Sequence, residues 1–149
     1  MQGRDISLRA RALALLARRE HTRLELRRKL APHAASEDEI TQLLIELEAR
    51  GWLSEERYAE TRANMLGRKF GSRKIEHDLQ GRGVPAEMIE QALQKMRGEE
   101  LENCRLAWLK KFGVLPANAA ERSRQQRFLA GRGFSGEVVR VVLKGGDLD

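Results

Sequence analysis

The sequence predicts an all-α fold of three tandem three-helix repeats stacked into an elongated array, on three observations. The first is internal repetition. Gly-Arg-Gly occurs at Gly81-Arg82-Gly83 and again 50 residues on, at Gly131-Arg132-Gly133. Aligning Lys74–Leu93 with Arg124–Leu143 pairs Leu79 with Leu129, Glu87 with Glu137 and Leu93 with Leu143, and sets Ile89 opposite Val139. A fainter copy lies 49 residues upstream, where Leu26, Leu30, Ile40 and Leu44 fall opposite Ile75, Leu79, Ile89 and Leu93. The second is helical spacing of apolar residues almost throughout; only Val138 to Leu143 is β-branched enough to resemble a strand. The third is the recurrence of capping residues and helix-stopping glycines at short intervals. Units at this period stack, and stacking presents an extended surface rather than a closed pocket. The expected units are residues 1–53, 54–97 and 98–144, with a short tail over 145–149.

Nine helices are expected. The first runs from about Ile6 to Arg19, its apolar face built by Leu8, Ala12, Leu15 and Leu16. Thr22-Arg23-Leu24-Glu25 is a capping box: the Thr hydroxyl accepts from a free N–H while the Glu reaches back. The helix it opens ends at Pro32. Ser36-Glu37-Asp38-Glu39 starts a third helix carrying Ile40, Leu43, Leu44 and Leu47, closed by Gly51 as a left-handed cap. Ser54 caps the fourth, with Glu55 and Glu56 at its positive dipole end, continuing to about Lys69. Ser72 is read as the cap of the fifth, which turns Ile75 and Leu79 inward and stops at Gly81 and Gly83. Pro85 leads into the sixth, through Met96. Three more follow over Leu101–Phe112, Asn118–Ala130 and Ser135–Leu143, and the residues from Gly145 onward read as a frayed tail. Helices this short need their neighbours, because isolated helices below about 12–15 residues are marginal in water.

Composition narrows the function. Charged residues make up 34% of the chain and apolar residues 41%, enough for small helical cores and too apolar for a disordered chain. Lone Cys104 excludes an intramolecular disulfide, and His21, His33 and His77 share no metal-ligand spacing, so neither metal nor cofactor is expected. No phosphate-binding loop, nucleophile elbow or paired-carboxylate motif occurs, so catalysis is not expected. No apolar run is long enough for a signal peptide or a membrane span, and a cytoplasmic monomer is expected.

The formal charge of +6 is concentrated. Arg18 to Lys29 holds six basic and two acidic residues, Arg68 to Arg82 five and two, and Arg122 to Arg132 four and none. A basic segment in each repeat would align along the array as a stripe facing a polyanion or an acidic protein groove. The candidate contacts are Arg19, Arg23, Arg27 and Arg28 in the first repeat, Arg68, Lys69, Arg73, Lys74 and Arg82 in the second, and Arg124, Arg127 and Arg132 in the third. Arg82 and Arg132 read equally well as helix C-terminal caps. The aromatics, Trp52, Tyr58 and Phe70 among them, fall mostly where core packing is expected; Tyr58 and Phe70, which flank the basic segment, are the two to test for stacking on bases. The tight Gly turns also resemble a helix-turn-helix. The helices after them begin Pro85-Ala86-Glu87 and Ser135-Gly136-Glu137, however, and acidic N-termini meet phosphates badly.

Gly51-Trp52-Leu53-Ser54-Glu55-Glu56-Arg57-Tyr58-Ala59, and Gly71-Ser72-Arg73-Lys74-Ile75 through Leu79 to Gly83-Val84, resemble the central signature of the RecX family of recombination regulators. Thr22, Glu25, Leu26, Lys29 and Leu30 resemble that family's first motif, and Gln126-Arg127-Phe128-Leu129 with Arg132-Gly133-Phe134 its third. The resemblance covers roughly Leu8 to Leu143. It implies a curved array of three-helix repeats that binds the RecA recombinase in the groove of its filament on DNA. It further implies suppression of ATP hydrolysis, strand exchange and co-protease action, and so a place in homologous recombination, DNA repair and the SOS response. Some members bind DNA directly, and the family has no catalytic residues to carry over. The short leader and tail depart from longer members. From the residues alone the competing expectation is a helical repeat protein that binds single- or double-stranded DNA non-specifically, with no dedicated protein partner.

Overall fold

The structure is a computed structural model describing residues 6–145, which form eight α-helices, one 3-10 turn and no strand. Residues 146–149, most of the expected tail, lie outside the described residues. In the first repeat, α1 (Leu8–Arg18), α2 (Arg23–Leu30) and α3 (Glu37–Ala49) pack around Leu26, Leu30, Ile40, Leu44 and Leu47. The Thr22–Glu25 capping box forms as expected, and the Ser36 hydroxyl accepts from the Glu39 N–H. Pro32 ends α2 by diverting the chain into a 3-10 turn over Ala31–His33.

In the second repeat, α4 (Glu55–Gly67) and α5 (Ser72–Gly81) pack on the first half of α6 (Ala86–Lys111). In the third, α7 (Ala119–Gly131) and α8 (Gly136–Leu143) pack on its second half. Val138 to Leu143 is thus helical. Its valines alternate between the core and its margin on an eight-residue helix whose Ser135 cap accepts from the Val138 N–H.

The aligned positions become equivalent core positions. Leu30, Leu79 and Leu129 are each fully buried, as are Ile40, Ile89 and Val139 to within a few per cent. One member breaks the pattern: where the first two repeats place Leu26 and Ile75, the third buries Gln125. Its amide is satisfied, accepting from Trp108 Nε1 at 2.9 Å and donating to the Val114 carbonyl at 3.0 Å, which pins the longer loop of this repeat. Cys104 is buried in the third core, where desolvation, reinforced by the nearby Glu100 charge, pushes its thiol up to about 12.

Three expectations require correction. The helices expected to end near Met96 and to begin at Leu101 are one continuous α6 of 26 residues. Arg97-Gly98-Glu99-Glu100 contains no proline and no capping side chain, and a single exposed helical glycine costs only about 1 kcal/mol, less than packing on both sides returns. Ser72 is not the cap of α5: Gly71 holds that position without a side-chain bond, and the Ser72 hydroxyl turns to Glu100 instead. Trp52 is no core residue, being 42% exposed beneath the guanidinium groups of Arg9 and Arg50.

The repetition recurs in how the repeats join. Each Gly-Arg-Gly turn docks on the second helix of the preceding repeat. Gly83 lies against Leu24, and Gly133, 50 residues on, lies against Lys74, itself 50 residues on from Leu24. Both glycines have positive φ, and a Cβ at either would fall under 3 Å from its neighbour, so the sequence needs glycine there twice over. A buried carboxylate seals each joint. Glu55 accepts from the Arg23 N–H at the start of α2. Glu100 accepts from the N–H groups of Ser72 and Ser135, at 3.3 and 3.2 Å, where α5 and α8 begin. A carboxylate between two helix N-termini satisfies free donors and lies at the positive ends of both dipoles. Three separate cores also leave more surface than one: 9607 Å² is accessible, against about 7,700 Å² for a compact protein of this mass.

Candidate functional site

Ion pairing makes the three basic segments unequal. In the first repeat Arg19 pairs with Glu25, Arg23 with Glu48 and Arg27 with Glu37, and among the described residues Arg28 alone of the four candidates has no carboxylate within 4 Å. In the second and third repeats Arg68, Lys69, Arg73, Lys74, Arg124 and Arg127 have no carboxylate within 4 Å among the described residues. All six side chains are exposed. Among the candidates, the cations without a carboxylate are therefore concentrated on the second and third repeats, with Arg28 the exception in the first.

The two turn arginines separate in role. Arg82 points into the joint between the first two repeats: it bonds Asp78 at 3.1 Å, contacts Glu25 at 3.5 Å and donates to the Tyr58 hydroxyl at 3.3 Å. Arg62 closes the network with a two-pronged bond to Asp78. Burial opposes ionisation of Asp78, but Arg62 and Arg82 outweigh it and hold the carboxyl below the usual range. Glu25 is held low in the same way, burial being outweighed by the Thr22 N–H and Arg19. Tyr58 itself is only 5% exposed, so it does not offer a ring to a base; its hydroxyl belongs to this joint. Arg132 instead stays beside the surface, donating to the Lys69 carbonyl at 3.1 Å while its guanidinium covers the rings of Phe70 and Phe128.

That placement assembles a cleft of about 510 Å³ between the C-terminus of α4, the last turns of α6 and the turn after α7. Its lining is Arg68 and Lys69 from the end of α4, Leu106, Ala107, Lys110 and Lys111 from α6, and Phe128 and Arg132 from α7 and the turn after it. Lys74 lies outside the cleft but shares the Phe70 ring with Arg132. Arg124 is one turn before Phe128 on α7, and Arg127 is its neighbour. The structure thus groups Arg68, Lys69, Lys74 and Arg132, and leaves the first-repeat candidates at a separate place. Sequence reasoning missed Lys110 and Lys111. Their only signal was a lysine pair closing an amphipathic helix, which reads as ordinary dipole compensation.

Family models describing the first, second and third three-helix domains of RecX match residues 9–47, 54–93 and 98–143. The chain is 51% identical over 140 residues to the regulatory protein RecX of Chromobacterium violaceum, spanning 94% of this chain and 91% of that one. The chain belongs to the RecX family. Other RecX relatives come from Leptothrix cholodnii, 48% identical over 94% of this chain and 89% of its own, and Neisseria gonorrhoeae, 41% over 93% and 90%. The fold agrees with the crystal structure of RecX from Lactobacillus salivarius, at a TM-score of 0.83 and 20% identity over 95% of this chain and 96% of that one. A second RecX crystal structure superposes with a TM-score of 0.76 and 20% identity over 92% of this chain and 73% of its own. The relatives are named as regulatory proteins, and the second and third RecX domains meet inside the continuous α6. No helix among the described residues is long and apolar enough to cross a membrane.

Proposed function

We propose that this RecX protein regulates the RecA recombinase by binding its filament on DNA, chiefly inhibiting ATP hydrolysis, strand exchange and co-protease activity. The observation that carries the reading is the concentration of exposed candidate cations without a carboxylate partner on the second and third repeats of a chain belonging to a family of regulators. A filament on DNA offers acidic protein surface and phosphates along one groove, which such a face complements. Arg68, Lys69, Arg73, Lys74, Arg124, Arg127 and Arg132 are the principal contacts on this reading. Arg28 adds to them from the first repeat, while Arg19, Arg23 and Arg27 contribute after exchanging their carboxylate partners. Arg82 holds the joint that sets the angle between repeats. The protein acts by binding rather than by catalysis, in the compartment that holds the recombinase.

The test is RecA ATPase on single-stranded DNA with increasing amounts of the protein. Inhibition is expected, weakened by Arg124→Glu/Arg127→Glu with helix content unchanged; no effect at several-fold excess would remove the reading. The same exposed cations favour a second reading, non-specific nucleic-acid binding without a protein partner. Salt separates the two, since a pure phosphate binder loses about 0.7–0.9 log units of affinity per log unit of salt for each phosphate contact.

A further inference from the structure

The cleft at the joint of the second and third repeats is more than a basic patch. Leu106, in its lining, is 50% exposed, and Leu109, one turn on along α6, is 53% exposed. Cations at the ends of α4 and α6 are accounted for by the helix dipoles. Dipole compensation does not explain why two such ends converge, nor why the surface between them is leucine and phenylalanine.

The composition of the cleft selects among polyanions. A nucleic-acid strand needs cations for its phosphates and open aromatic faces for its bases. Here the Phe128 ring is already covered, with the Arg132 guanidinium 4.7 Å and the Lys111 ammonium 5.4 Å from its centroid and the edge of Phe112 against it. The half-exposed leucines have nothing to gain from a phosphodiester backbone. An acidic peptide matches both features: carboxylates meet the lysines and arginines of the lining, and an apolar side chain covers Leu106 and Ala107. We propose that this cleft docks an acidic peptide segment of a partner protein, anchored by a leucine- or phenylalanine-type side chain on Leu106 and flanked by carboxylates facing Arg68, Lys69, Lys110 and Lys111. The proposal deepens the reading as a filament regulator by giving the chemistry of the contacted segment. Its test omits the filament, so failure of either can be told from failure of the other.

The probes are two labelled synthetic peptides of equal length and charge, followed by fluorescence anisotropy with the full chain at about 150 mM salt. One alternates Asp and Glu with two Leu and one Phe; the other carries Ser in place of those three residues. A single-stranded oligonucleotide of matching charge is the third probe. The apolar-bearing peptide is expected to bind about 10-fold more tightly than its serine counterpart. Leu106→Ser is expected to weaken that peptide by about 10-fold while leaving the oligonucleotide unchanged, and Lys110→Glu/Lys111→Glu to weaken every probe. Both sites are exposed, and unchanged far-ultraviolet circular dichroism is the control for folding. Equal affinity for the two peptides, indifference to Leu106→Ser, or a parallel loss of oligonucleotide binding in that variant would overturn the assignment.

Discussion

Replacing Gly71 by alanine puts a methyl group into the backbone of the next repeat. The new Cβ would lie 2.4 Å from the Phe134 Cα and 2.5 Å from the Gly133 carbonyl carbon and oxygen. The backbone of Gly71, at φ −91°, accepts any residue, so the clash is purely one of space. Ordinary contact begins at 3.4 Å and the obstacle is main chain, which cannot rotate away, so the α5 start and the turn after α7 must part by about 1 Å. That stretches the Gly71 N–H bond to the Arg132 carbonyl (2.9 Å) and the Arg73 N–H bond to the Gly133 carbonyl (3.1 Å) beyond useful length. Two lost bonds cost about 1 kcal/mol each and the overpacking about 1–3 kcal/mol, a total of about 3–5 kcal/mol. A domain with about 5–15 kcal/mol to lose should show this plainly in equilibrium urea unfolding followed by circular dichroism. The first-repeat core contacts none of these atoms, so residual helix at intermediate urea is expected to come from that repeat. A loss below about 0.5 kcal/mol would refute the close backbone docking.

Further outcomes follow from the same geometry. Gly98→Ala is expected to stabilise the protein by about 0.5–1 kcal/mol in the same assay, since the added methyl meets nothing within 4 Å in mid-α6; destabilisation would argue for a break between repeats there. Glu100→Ala should cost about 2–3 kcal/mol, because it strands the Ser72 and Ser135 N–H groups in a buried joint, and an unchanged urea midpoint would contradict that role. Glu25 and Asp78 titrate below their ordinary values of 4.5 and 3.8, so their contribution is present above those values and is lost as pH falls through the depressed ones. Unfolding midpoints should therefore drop below about pH 4, and Glu25→Gln should flatten that limb; a parallel profile in the variant would show that the carboxylate is not responsible.

Much of the fold is legible in the sequence because it is local. The Thr22–Glu25 box, the Ser36 and Ser54 caps and the left-handed Gly51 act within a turn or two, so residue order alone fixes them. Core positions such as Leu30, Leu79 and Leu129 follow from helical spacing multiplied by the repeat. Tertiary structure decided what depends on residues distant in the chain: the fusion of two expected helices into α6, the burial of Tyr58 and the exposure of Trp52. It also decided which arginines are neutralised. Arg23 and Arg68 look alike in sequence, yet Glu48 lies beside one and no carboxylate within 4 Å of the other among the described residues. Charge acts across space and falls with distance, so its balance at a surface is set only when helices from different repeats come together.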